Sequence, residues 1–153
     1  MTKKVASRAN AISPFHVMDI LAQAKQLEAA GQNIIHMEVG EPDFETPQPI
    51  IKAGMNALKQ GKTHYTPACG LPELREAIAG WYEQQYQVKV NAERIIVTPG
   101  ASGALLLVMG ALLEKQKQVL LADPGYPCNK HFARFVEGRV NSIPVDANHQ
   151  YQL

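Results

Sequence analysis

Apolar residues return to one face of a helix early in the chain. Val17, Ile20, Leu21, Ala24 and Leu27 follow Ser13-Pro14, which reads as an N-cap with proline at the first helical position, and Gly31 supplies a stop. The spacing predicts an amphipathic helix. Next comes Asn33 to Val39 (NIIHMEV), β-branched and apolar with little helix punctuation, ending at the turn cluster Gly40-Glu41-Pro42-Asp43. A short strand running into a loop is expected there. Thr46-Pro47 repeats the cap-plus-proline signal ahead of Ile50, Ile51, Met55 and Leu58, with Gly61 as terminator. After the loop GKTHYTPACG, Leu74, Ile78, Trp81 and Tyr82 form the stripe of a helix from about Leu71 to Tyr86, with Glu83, Gln84, Gln85 and Gln87 on its wet side.

The rhythm then changes. Arg94 to Thr98 (RIIVT) reads as a strand, Ser102 to Glu114 as a buried helix, and Gln118 to Ala122 as a second strand. Tyr126 to Val136 reads as another helix and Arg139 to Val145 as a third strand. Strands alternating with helices across short connections predict an α/β fold with a parallel sheet and crossover helices. A parallel sheet is normally covered on both faces, and three strands with these helices leave it incomplete.

Composition narrows the function. With 46% hydrophobic and 19% charged residues in 153, the chain has the makeup of a folded domain rather than a disordered one. A formal net charge of +1, and no Lys/Arg block longer than Lys3-Lys4, point away from nucleic acid and anionic membranes. The longest apolar run, Ala104 to Leu113, falls well short of the ~20 residues that span a bilayer. A cytoplasmic location is expected, with Cys69 and Cys128 reduced.

Two loops are placed for ligand chemistry. In open parallel sheets, ligands settle beyond the carboxyl ends of strands, where loops enter helix N-termini. Thr98 to Gly103 (TPGASG) has that position, and its backbone N–H groups and the Ser102 hydroxyl suit a phosphate. The same small residues equally allow a helix to pack closely on a sheet, and the loop matches neither G-x-G-x-x-G nor G-x-x-x-x-G-K-[ST]. In the second loop, 122-ADPGYPCN-129, Tyr126 either stacks on a planar ligand or packs at a turn. Taken together, the two loops suggest a flat, phosphorylated cofactor.

Other clusters carry less. Cys128-Asn129-Lys130-His131 is half of a metal pattern without a second pair, so no metal site is assigned. His16, His36, His64 and His149 are scattered, and Asp19, Glu28, Glu41 and Asp43 form no paired-carboxylate motif.

Four segments, 40-GEPDF-44, 64-HYTPACGLPELREAIA-79, 95-IIVTPGASGALLLV-108 and 123-DPGYPCNKHF-132, occur in the order and at about the spacing of one family. The chain resembles the N-terminal part of a class I/II, fold-type I aminotransferase dependent on pyridoxal 5′-phosphate. The resemblance implies residues 1–45 as an N-terminal helical arm and small-domain-like segment, and 46–153 as the first, incomplete part of the cofactor-binding large domain. It implies that Gly40 offers its N–H to the substrate α-carboxylate and that Tyr65 reaches the cofactor phosphate of a neighbouring subunit. It also implies that Ala101 and Ser102 bind the phosphate of the chain's own cofactor and that Tyr126 stacks on its ring.

The parent of such a chain would move an amino group between an amino acid and a 2-oxo acid, as a homo-oligomer. The family's Schiff-base lysine and the aspartate at the ring nitrogen are expected beyond the last residue, so no catalytic residue is assigned and the chain alone is not expected to transaminate. Alternatives are a non-catalytic phosphate-binding or self-associating module, or a piece of a lyase or synthase of the same fold. The apolar run Leu105 to Leu113 and the last strand are expected to be left uncovered, favouring self-association.

Overall fold

The computed structural model describes residues 5–152; Lys3, Lys4 and the final residue lie outside them. Five α-helices and two strands are present among the described residues: α1 (His16–Ala29), α2 (Gln48–Lys59), α3 (Pro72–Tyr86), α4 (Gly100–Leu112), β1 (Gln118–Asp123), α5 (Pro127–Phe135) and β2 (Arg139–Pro144). Short 3-10 turns cover Ser7–Ala11, Ala92–Arg94 and Ala147–His149. The chain divides into two compact units, Met1–Glu38 with Pro99–Leu153, and Val39–Thr98. This division by packing falls at other positions than the 45/46 boundary expected for family domains.

In the first unit α5 is the centre. It packs against α4, both strands and the Ser7–Ala11 turn. Ala133 on α5 is fully buried, and Ala24, Met109 and Val145 are the other buried apolar side chains. Strands β1 and β2 pair in parallel, with Val119 opposite Val140 and Leu121 opposite Ser142. A parallel pair needs a crossover to join it, and α5 is that crossover. Helix α1 starts at His16 rather than behind a Ser13-Pro14 cap: Phe15 is the capping residue, in extended backbone, and its ring meets Tyr126 edge-on at 6.1 Å between centroids. The N-terminal turn is tied to α5 by Arg134 Nη1 donating to the Ala11 carbonyl at 3.1 Å and by the Arg8–Glu137 ion pair at 3.3 Å.

In the second unit, proline opens both helices. Pro49 lies in the first turn of α2 and Pro72 in that of α3, where a missing N–H costs nothing. The segment after α3 is held to it by Arg75, whose Nε donates to the carbonyls of Ala92 and Ile95 at 3.0 and 2.9 Å. Val97 N–H donates to the Cys69 carbonyl, and Gly70 beside it has φ +100°. A Cβ at Gly70 would lie 2.6 Å from Val97 Cγ2, so only glycine fits both the backbone angle and the space.

Three expectations are corrected. Neither NIIHMEV nor RIIVT is a strand; both run without a ladder partner among the described residues, and the sheet has two strands rather than three. A strand is completed by its neighbour, so β-branched residues alone do not make one. Helix α4 is also not buried. Met109 is its buried residue, whereas Leu107, Val108 and Leu112 are 57, 49 and 75% exposed. Likewise the α3 stripe forms but stays open, with Trp81 edge to face against Tyr82 and Tyr86, all three at about half exposure. No helix among the described residues is long and apolar enough to cross a membrane.

Candidate functional site

The TPGASG loop reaches a helix start as expected, although the residues before it are not a strand. Pro99 stands at the N-cap of α4 and Gly100 follows at φ +74°. A proline side chain accepts no hydrogen bond, so it cannot cap the helix itself. Ala101 and Ser102 are exposed in the first turn, where N–H groups lack intrahelical partners and the helix dipole is positive.

Tyr126 is the N-cap residue of α5, directly beyond the carboxyl end of β1 and the cis Asp123–Pro124 peptide. Its ring is 53% exposed, with Phe15 against it edge-on. A hydrogen bond with the Cys128 side chain is the main cause pushing the Tyr126 phenol above its ordinary value. Both cysteines are free and half-buried.

A cleft of about 320 Å³ opens at Tyr126, lined also by Asp123, Asn129, Lys130, Arg134 and Ser142. That is at the lower end for ligand sites, roughly 300–1,000 Å³. Ala101 and Ser102 are not among its lining residues. The sequence pattern does not single out these polar lining groups; Asn129 and Lys130 read there as part of a half metal pattern. Strand parity together with the spacing of α5, whose first turn carries Asn129 and Lys130 and whose last turn carries Arg134, is the signal that places them beside Tyr126. Asn129 Oδ1 and His131 Nδ1 are buried without a hydrogen-bond partner among the described residues. Burial, aided by the cations Arg134 and Lys130, pushes the His131 imidazole below its ordinary value. Among the described residues, no group of three or more His, Cys, Asp or Glu side chains could hold a metal ion.

The two remaining candidates belong to the other unit. Gly40 is exposed in irregular backbone, with nothing within 4 Å of where its Cβ would be. Tyr65 is wholly exposed at the surface. Three of the histidines lie beside carboxylates. His36 lies between Glu28 and Glu38, His149 Nδ1 is 2.7 Å from Asp146 Oδ1, and His16 lies 3.6 Å from Asp19.

Strand β1, crossover helix α5 and strand β2, with an exposed tyrosine where α5 begins, define an α/β protein of the parallel crossover class. The family model "Aminotransferase class I and II" matches residues 32–153, and the chain belongs to that family. It is 46% identical over 122 residues to a (5-formylfuran-3-yl)methyl phosphate transaminase of Methanocaldococcus jannaschii, covering 80% of this chain and 33% of the relative. It is 38% identical over 153 residues to a probable aspartate/prephenate aminotransferase of Aquifex aeolicus, covering all of this chain and 39% of that protein. Among solved structures, an aminotransferase from Mycobacterium tuberculosis superposes with a TM-score of 0.93 at 32% identity, over 99% of this chain and 39% of the other. The chain thus spans between a third and two fifths of the length of the relatives it matches.

Proposed function

We propose that this chain is the cofactor-gripping part of a pyridoxal-phosphate-dependent aminotransferase whose whole protein exchanges an amino group between an amino acid and a 2-oxo acid. The observation that carries the reading is the coincidence, inside a family match running from 32 to 153, of an exposed α4 first turn at Ala101-Ser102 with an open Tyr126 ring. The residues present fit the group. A phosphate dianion suits N–H donors at a helix start, and a flat pyridine suits a half-exposed tyrosine face.

Ala101 and Ser102 would hold the phosphate through backbone N–H groups, with the Ser102 hydroxyl as a further donor. Tyr126 would lie on the ring. Pyridoxal phosphate, when bound, supplies an electron-withdrawing ring that stabilises negative charge developing at the substrate's α-carbon. Gly40 N–H would receive the substrate carboxylate. The full exposure of Tyr65 supports a role outside its own unit, at the phosphate of a second copy. None of the lysines at 25, 52, 59, 62, 89, 115, 117 and 130 falls in the family's Schiff-base motif, and Lys3 and Lys4 lie outside the described residues.

The test uses the chain mixed with pyridoxal phosphate, an amino acid and a 2-oxo acid. Amino-group exchange no faster than with free cofactor is expected, and borohydride should leave no stoichiometric adduct on a single lysine. Faster exchange, or one fully labelled lysine, would overturn the assignment of a gripping but non-catalytic chain. Self-association is a second reading, favoured by the open apolar side of α4 at Leu107 and Leu112. Light scattering at high concentration tests it, and a monomer that unfolds cooperatively would count against it.

A further inference from the structure

Residues 33–38 carry strand-forming side chains but pair with no strand among the described residues, and Ile35 and Met37 are 82 and 88% exposed. Little apolar burial therefore anchors them. An imidazole does so instead. His36 Nε2 lies 3.0 Å from Glu28 Oε1 on α1, and His36 Nδ1 lies 2.6 Å from Glu38 Oε1. The second Glu38 oxygen accepts from the Met37 N–H at 2.9 Å.

Ionised carboxylates only accept hydrogen bonds, and a neutral imidazole has one N–H to give. Only the imidazolium donates to both partners at once. We propose that His36 is a proton-operated clasp: protonated at both nitrogens it pins residues 33–38 to the C-terminal half of α1, and loss of one proton to solvent turns a lone pair toward a carboxylate and frees one end.

The charged groups acting on the ring are Glu38 from its own stretch and Glu28 from α1. The hydrogen bond to Glu38 is the largest cause raising the imidazole above its ordinary value, and the same bond is the largest cause holding the Glu38 carboxyl below its own. A raised histidine contributes its stabilisation fully below the unfolded value and loses it as pH rises through the folded value. The clasp is closed in mild acid and opens on the alkaline side. At the acid end the His36–Glu38 bond persists until pH falls through the lowered Glu38 value. The His36 and Glu28 side chains are 35 and 44% exposed, so water screens the pair and the effect is local. The stretch leads directly into 40-GEPDF-44, and a pH effect on a substrate carboxylate at Gly40 would rest on the function proposed above. The clasp itself does not need that reading.

The experiment is NMR on the full chain, without cofactor, in the wild type, His36→Gln and Glu28→Gln. His36 should titrate above its ordinary value and fall toward it in Glu28→Gln. Backbone order parameters of residues 33–38 should be higher at about pH 6 than at about pH 9 in the wild type, and equal at the two in His36→Gln. A His36 that titrates at or below its ordinary value, or wild-type order parameters unmoved by pH, would overturn the proposal. Glu28→Gln carries the test if His36→Gln fails to fold.

Discussion

Residues 99–152 and residues 39–98 both carry loop segments that resemble one family, but they are built on different principles. The first stretch has a parallel pair, a crossover helix and a fully buried alanine at its centre. The second has two amphipathic helices, no strand, and no residue that reaches full burial; its order rests on Arg75, the Cys69–Val97 bond and the tight fit at Gly70. Helices satisfy their own backbone, so both regions form them. Strands need a neighbour, and only 99–152 contains two that meet. The candidate residues follow suit: Tyr126 is positioned by a strand-to-helix junction, whereas Tyr65 sits in an open loop.

The largest expected effect comes from Ala133→Asp. An unpaired carboxylate at a fully buried position costs about 3–5 kcal/mol. Hydrogen exchange should report loss of protection in β1, α5 and β2 ahead of α3, and equal loss in α3 would break the contrast between the regions. Gly70→Ala comes next. It combines a positive φ with a Cβ pressed into Val97 and should cost about 2 kcal/mol, read by urea unfolding. Its exchange signature should centre on residues 67–75 and 92–97, and a neutral Gly70→Ala would mean that the Cys69–Val97 contact does not organise this region. Smallest is Arg8→Ala at an ion pair whose side chains are 45 and 48% exposed, which should change stability by less than about 1 kcal/mol. A larger loss would show that the N-terminal turn is integral to the α5 core rather than laid on it.

Much of the fold is legible in the order of residues. Apolar spacing locates α1, α2 and α3 because it is a local signal, and α4 and α5 fall where the alternation of elements puts them; the expected Ser13 and Thr46 caps are instead Phe15 and Pro47. The strands at 118–123 and 139–144 are legible too, since each is bounded by turns and joined by a helix long enough to cross over. NIIHMEV and RIIVT mislead for the reason just given: their composition is that of strands, but composition cannot supply a partner. Loop position puts Ser102 and Tyr126 at helix starts. It does not place the polar lining contributed by Asp123, Lys130, Arg134 and Ser142, which depends on which faces of a strand and a helix meet. The His36 clasp is hidden for a related reason, as Glu28 and Glu38 converge from a helix end and an irregular stretch.

The most direct test of the central claim is equilibrium dialysis of pyridoxal 5′-phosphate against the chain and its Ser102→Asp variant, with circular dichroism to show that both are folded. A carboxylate placed in the first turn of α4 would repel a phosphate held there. Saturable binding to the wild type is expected, surviving without a covalent bond and weakening on the order of tenfold or more in Ser102→Asp. Equal affinity in the two, or no saturable binding to the wild type, would contradict it.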